Sequence, residues 1–365
     1  MSPPGFVQPP TLGWTNDRGT KPMMFITLIS RTVTRTLLGC WLILGIAAVV
    51  LTSRPAVGRD IFVDNEKGDD AFTGRIATPG QTVDGPVRRI SRALALAQPG
   101  DRIVLAKTGS PYHESLTFAG ERLGRGILND FILEGNGAIL DGSAPIPPEG
   151  WEPDRDAWKR SGRAIFRFVP EWKSHQQLFL GDRPATRVYV NRLSAVPPDL
   201  EPLQWCLFQG TIYFCVEPDR HPQDYPLRYA RLQVGITLHH VQGVTIRDLV
   251  VQGFQLDGVN LANTARDVRL EGVVLRGNGR AGLTVGGASR GELIDSLLGD
   301  NGAAQILTLP NGELRVHNCQ VLGNTAPAWV DEGGRFFLEG KLQQGGLDQI
   351  DDVANTPGRV APETN

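Results

Sequence analysis

The residues best suited to chemistry are few: His239, His240, Asp257 and Arg280. A carboxylate beside a guanidinium suits proton abstraction from carbon, because the carboxylate takes the proton while the cation stabilises the developing carbanion. The same two groups at a turn also make an ordinary ion pair, so Asp257 and Arg280 are candidates under both readings. His239, Asn260 and Thr284 are candidates for contacting a bound substrate. Asp64, Asp69 and Asp70 raise the question of calcium, but their spacing lacks the regular oxygen-ligand order of a calcium loop, and Asp/Gly turns account for them. No Cys/His spacing suggests zinc, and no metal or cofactor is expected. Cys206 and Cys215 flank a predicted hairpin around Gln209-Gly210. Their thiols are read either as able to meet across it or as two semi-buried strand residues.

Whether these side chains face one another depends on the elements that carry them, and a repeat defines those elements. Between 244 and 324 the chain reads VTIRDLVVQGF, VRLEGVVLRGN, GELIDSLLGDN and LRVHNCQVLGN. Ile246, Leu270, Leu293 and Val316 form one column, at spacings of 24, 23 and 23 residues. Asp248, Gly272, Asp295 and Asn318 form a turn column two places on. Val251, Leu275, Leu298 and Val321 form a second apolar one. Phe254, Asn278, Asn301 and Asn324 share the last place, so three successive coils carry Asn in one turn. Short strands separated by fixed turns, none able to bury its own inner face, predict a stacked solenoid of parallel β coils. Stacked amides would satisfy a buried bend.

A third strand precedes each of these stretches, beginning at Ile236, Val259, Leu283 and Ile306. Their spacings of 23, 24 and 23 give the same register. Alternation turns Thr237, His239, Asn260, Ala262, Thr284, Gly286, Leu307 and Leu309 outward. That set holds no carboxylate pair of the kind glycoside hydrolysis requires. Val250, Val274 and Leu297 form an outward column that is apolar, expected to lie under the C-terminal tail or to dock another chain.

The segment 61–114 resembles the opening region of secreted right-handed parallel β-helix proteins of the pectate-lyase-like superfamily. The matching residues are Phe62-Val63-Asp64, Gly68-Asp69-Asp70, Gly74, Pro86, Ile90, Ala93-Leu94, Ala97, Pro99-Gly100-Asp101, Ile103, Leu105, Tyr112 and Glu114. Pro86 suits a helix start, and Val87, Ile90, Leu94 and Ala97 give an apolar face at helical spacing, so a helix capping the open end of the solenoid is expected. The resemblance covers roughly residues 60–330 and implies a carbohydrate-active protein, a lyase or glycoside hydrolase, with polysaccharide as its partner. The polygalacturonase Asp-Asp and Gly-His-Gly arrangements and the pectate-lyase Arg-x-Pro-x-x-Arg are not found. A non-catalytic glycan-binding or adhesion protein is therefore the alternative.

The rest of the chain divides around this body. Leu37–Leu51 is an uncharged run of 15 residues following Arg31 and Arg35, with small residues at Ala56 and Gly58 beyond it. This layout fits a signal peptide, or an uncleaved signal anchor over 37–52 that would hold the body to a membrane; residues 1–36 are then a cytoplasmic or mis-started leader. Either reading places the body outside the cytoplasm. Residues 59–142 hold the cap and first coils, 143–233 an irregular β insertion, 234–330 the regular coils and 331–365 a polar tail. Residues 59–365 carry 32 basic against 38 acidic side chains, which argues against nucleic-acid binding. The fold expected is all-β: a right-handed parallel β-helix with an N-terminal capping helix, an irregular β insertion and an apolar signal or anchor helix.

Overall fold

A computed structural model describes residues 58–80, 83–120, 130–191 and 193–350. The expected leader and the apolar stretch 37–52 lie outside the described residues. Among the described residues no helix is long and apolar enough to cross a membrane.

Parallel strands stack coil upon coil in the register read from the repeats. Ile246, Leu270, Leu293 and Val316 are direct neighbours, as are Val251, Leu275, Leu298 and Val321. The third face runs Leu116, Ile236, Val259, Leu283, Ile306 and Trp329. Nearly all of these side chains are fully buried, so one apolar core runs the length of the stack. The turn column works because its residues tolerate left-handed backbone: Asp248, Gly272, Asp295 and Asn318 have φ of 48°, 60°, 50° and 51°.

The Asn column is a ladder of two amides rather than three. The Phe254 N–H donates to Asn278 Oδ1 at 3.1 Å, and Asn278 donates to Asn301 Oδ1 from its N–H at 2.9 Å and from Nδ2 at 3.0 Å. Asn324, expected as the next rung, is exposed and bonds Asp300 instead. Gln305 takes its place, its Oε1 accepting from Asn301 Nδ2 at 2.7 Å. A longer side chain from the next strand closes the ladder here.

The N-terminal cap is the helix Ile90–Leu96, which buries Ile90 and Ala93 on the first coils. Its free N–H groups are met by Glu114, whose carboxylate accepts from Ile90 N at 2.7 Å and Ser91 N at 2.9 Å. Asp64, Asp69 and Asp70 accept backbone N–H groups of nearby turns or of Arg88 and Arg89. They hold the cap's loops in place.

At the other end, the strands Arg335–Leu338 and Lys341–Gln343 form a hairpin, and Leu347 and Ile350 bridge Trp329 and Val321. Phe336 stacks on Trp329 with centroids 4.4 Å apart, closing the core. The described part of the tail therefore covers the last coil. It does not lie on the Val250–Val274–Leu297 column, where Leu297 stays exposed.

The stretch 143–233 forms two sheets, antiparallel except where Thr186–Arg187 pairs in parallel with Gln204–Phe208, with their own core around Leu178, Trp205, Ile212 and Phe214. Its hairpin turns at Gln209 and Gly210, both with positive φ (47° and 77°), as a two-residue turn requires. Phe208 faces Thr211, which sets Cys206 opposite Tyr213 and Cys215 opposite Ile165. The two thiols therefore do not meet; both are buried and free.

Candidate functional site

The insertion docks on the corner of the coils that carries the Asn ladder, and glycines make that approach possible. Gly279 and Gly302 follow Asn278 and Asn301 on successive coils. A Cβ on Gly279 would sit 1.6 Å from the His175 carbonyl oxygen. Gln255, buried one coil away, donates from Nε2 to the carbonyl and hydroxyl of Ser174. The Tyr189 hydroxyl lies 2.7 Å from the Thr325 carbonyl and 3.2 Å from the Gly302 carbonyl, sharing its proton across two coils.

Between these contacts lies an open cavity of about 480 Å³. Its wall on the insertion side is His175, Arg187 and Tyr189; its floor is backbone and small side chains of three coils, including Gly279, Gly302 and Thr325. No Asp or Glu lines it among the described residues. The Arg187 guanidinium carbon lies over two aromatic rings, 4.9 Å from the centroids of both Tyr189 and Trp205. It makes one long hydrogen bond, from Nη1 to the Gln176 carbonyl at 3.4 Å, and its Nε is buried without a partner. Burial pulls its pKa below the ordinary arginine value.

His175 has φ of 48°, a backbone conformation that costs energy for a non-glycine residue. Burial lowers its pKa, and the charge of Arg280 lowers it further, while Asp257 opposes the shift. The imidazole is thus held toward its neutral, proton-accepting form.

Asp257 and Arg280 are brought together. Arg280 clamps the carboxylate with Nε–Oδ1 at 2.8 Å and Nη2–Oδ2 at 2.5 Å, and Asp257 has no exposed surface. That hydrogen bond raises the arginine's pKa against the opposing effect of burial. With both oxygens occupied, Asp257 anchors Arg280 at the corner. The remaining predicted residues lie elsewhere on the same sheet. Asn260 and Thr284 are neighbours in register, and His239 ends the strand Ile236–His239 with its ring 5.4 Å from that of His240. Thr284, expected on the groove surface, is fully buried with its Oγ1 unpartnered. Beyond it the outward face turns apolar, with Leu307 beside Thr284 in register and Val330 beside Leu307. None of the predicted residues, Asp257, Arg280, His239, Asn260 or Thr284, lines the cavity.

Another concavity, of about 390 Å³, lies over the second strand of the coils. Its charges neutralise one another: Arg269 pairs with Glu292 at 3.3 Å, and Glu313 with Arg315 at 2.7 Å and with Arg335. Arg187 has no such partner.

Three residues of the cavity wall, His175, Arg187 and Tyr189, escaped sequence reasoning because they lie in the irregular stretch. The signal that marks their place was in the repeats: Gly directly after Asn on two successive coils, where a second backbone must come close.

The stacked coils, their corner ladder and their docked insertion define this chain as a right-handed parallel β-helix protein. Residues 234–336 match the family model described as the right handed beta helix region. The chain is similar to the complex of XylC with xylose (11% identity, TM-score 0.47, covering 77% of this chain and 61% of that one). It is also similar to a glycoside hydrolase (10% identity, TM-score 0.48, covering 72% and 73%). The chain thus spans about three-fifths of the first of these. No curated protein matches it in sequence.

Proposed function

We propose that this protein binds a polysaccharide in the cavity between the insertion and the coil corner. The observation that carries the reading is the Tyr189 ring, more than half exposed yet fixed by its hydroxyl to two coils, at the edge of an open cavity floored by backbone. A rigid aromatic face beside backbone carbonyls suits a sugar ring, which presents an apolar face and a rim of hydroxyls. Mobility of the full-length protein in native gels containing uronic-acid or neutral polysaccharides tests this. Tyr189→Ala is expected to abolish the retardation seen with the wild type while the melt stays cooperative. Unchanged retardation in that variant would remove the site from the cavity.

If the bound chain is cleaved, the geometry favours elimination over hydrolysis. Hydrolysis needs two carboxyls about the scissile bond, and the cavity wall offers none. Elimination needs a base and nearby positive charge, and the cavity wall offers His175 and Arg187. Ultraviolet absorbance rising together with reducing ends would support a lyase; reducing ends alone would refute that chemistry. Neither signal, with binding retained, would leave a glycan-binding module.

The reading carries an export proposal with it: the uncharged run Leu37–Leu51 behind Arg31 and Arg35 directs the body out of the cytoplasm, cleaved or anchored. Cell fractionation and N-terminal sequencing check it, and a body recovered wholly in the cytoplasm would overturn it.

A further inference from the structure

We propose that the insertion is a hinged clamp: it swings off the coil corner as a unit, is latched shut by the Tyr189 hydroxyl, and is held shut more firmly by a polysaccharide lying between the two parts. The last clause rests on the polysaccharide reading above; the hinge and the latch do not. The two parts have separate apolar cores, one running along the coils and one gathered around Leu178, Trp205, Ile212 and Phe214. The contacts across the joint are mostly polar or permitted by glycine. Gln255 donates to Ser174, the Tyr189 hydroxyl meets the Thr325 and Gly302 carbonyls, the His175 carbonyl abuts Gly279, and the Phe179 ring packs on Gly277. A joint without a shared core gains little apolar burial on closing, so it opens at far lower cost than either part unfolds.

The stem of the insertion has the form of a hinge. The chain leaves the coils at Gly142 and returns through Arg231 and Leu232, whose N–H groups both donate to the Gly142 carbonyl, at 3.1 and 2.9 Å. The outgoing strand Ser143–Pro145 pairs with the returning strand Leu227–Ala230. Both ends are thus tied at one point, about which the insertion can turn without breaking a coil. Unsatisfied polar atoms gather on the opposite side, at the joint. Among the described residues, four buried side-chain atoms lack a partner: Gln176 Oε1, Arg187 Nε, Gln255 Oε1 and Thr284 Oγ1. Gln255 contributes one from the corner. Gln176 and Arg187, linked through the Gln176 carbonyl, contribute two from the insertion, where Arg187 Nη1 stands against Gly302. Buried polar atoms are ordinarily paired, because leaving one unpaired is costly. That cost falls on the closed form and is relieved when opening admits water. A ligand touching both wall and floor makes its full contacts only in the closed form, and therefore shifts the clamp toward it.

Thiol labelling of the full-length protein, followed by peptide mass mapping, reads the joint. Gln255→Cys puts a thiol at a position that is 2% exposed, between the two parts. Cys206 in the insertion and Cys319 in the coils are buried references that react only when their own part unfolds. Maleimide is expected to label the new thiol at least about a hundredfold faster than either reference. Tyr189→Phe in the same background keeps the ring, removes both hydroxyl contacts, and is expected to speed labelling about fivefold. Polygalacturonate and a neutral β-glucan are the ligand probes. Whichever binds in the native gel is expected, at about ten times its Kd, to slow labelling about tenfold. A new thiol labelled no faster than Cys206 or Cys319 overturns the clamp and leaves polysaccharide binding standing. A rate unchanged by Tyr189→Phe overturns the latch. Fast labelling that a bound polysaccharide does not slow overturns closure by the ligand. Fast labelling with neither probe bound supports the hinge and overturns the reading beneath the ligand's part in it.

Discussion

Replacing Asn301 by Ala removes the rung that joins three coils. Its Oδ1 accepts the Asn278 N–H at 2.9 Å and Nδ2 at 3.0 Å, while its own Nδ2 donates to the Leu275 carbonyl at 3.1 Å and to Gln305 Oε1 at 2.7 Å. Asn278, Asn301 and Gln305 have no exposed surface, so the Asn278 N–H loses a partner that water does not replace, while Gln305 Oε1 keeps the Asn301 backbone N–H at 3.2 Å. A buried polar group left unpaired costs about 1–3 kcal/mol, and the Leu275 carbonyl and Gln305 Oε1 each lose one donor as well. The Asn301→Ala variant is therefore expected to lose about 2–3 kcal/mol. Asn324 occupies the same place in the repeat but lies exposed, and Asn324→Ala is expected to cost about 0.5 kcal/mol or less. Urea unfolding followed by tryptophan fluorescence measures both, and an unchanged slope with denaturant shows that the comparison is of like states. A loss below about 1 kcal/mol for Asn301→Ala, or equal losses for the two variants, would refute the ladder as a source of stability.

Three further outcomes follow from the same geometry. Asp257→Ala strands the mostly buried Arg280 charge and is expected to cost about 3 kcal/mol, much of it recovered in Asp257→Leu/Arg280→Met; a double variant no better than the single one would contradict this. His175 has a folded pKa below its ordinary value, so it binds fewer protons folded than unfolded. The stability it contributes is present above about pH 6.5 and is lost as pH falls through the depressed value, and His175→Gln is expected to flatten that part of the stability–pH curve. Burial pushes the Cys206 thiol to about 12 and the Cys319 thiol to about 11. Neither is expected to react with maleimide at pH 8 until the protein is unfolded, as peptide mass mapping would show.

The coils were legible in the sequence because each level of the stack repeats the same physical demand. Ile246, Leu270, Leu293 and Val316 must all be apolar to fill one column, and Asp248, Gly272, Asp295 and Asn318 must all tolerate positive φ, so a spacing of 23 or 24 residues displays them without an alignment. The ion pair of Asp257 and Arg280 was legible for the same reason, since one coil separates them. The last rung was misread because the periodic signal at Asn324 does not reveal that its side chain turns to Asp300, leaving Gln305 to close the ladder. Thr284 was misplaced because strand alternation assigns a direction, whereas burial depends on what packs over it. Arg187 and Tyr189 follow no period at all. Arg187 lies on a sheet folded on its own core, Tyr189 just beyond that strand, and Tyr189 reaches the coils through a docking contact that no local pattern encodes.

That division between a periodic floor and an aperiodic wall has a consequence for how recognition is built. On the floor, Asn278 and Asn301 tie the corner into the core, and the next residues, Gly279 and Gly302, line the cavity. Gly279 N donates to the Phe254 carbonyl and Gly302 N to the Asn278 carbonyl, both at 2.8 Å, so the floor is held by the same bonds that hold the stack. It offers rigid backbone and little side-chain chemistry. Discrimination between ligands therefore falls to His175, Arg187 and Tyr189, whose sheets can change without disturbing the coils. Gly279 is where the two parts constrain each other: any side chain there meets the His175 carbonyl at 1.6 Å and lifts the wall off the floor. The same Cβ would sit 2.3 Å from the Gln255 carbonyl of the neighbouring coil, so Gly279→Ala is expected to strain the corner locally as well as free the insertion, visible as new protease cleavage near residues 172–176 together with loss of polysaccharide binding. Intact resistance to protease with binding retained would show that the cavity does not depend on this contact.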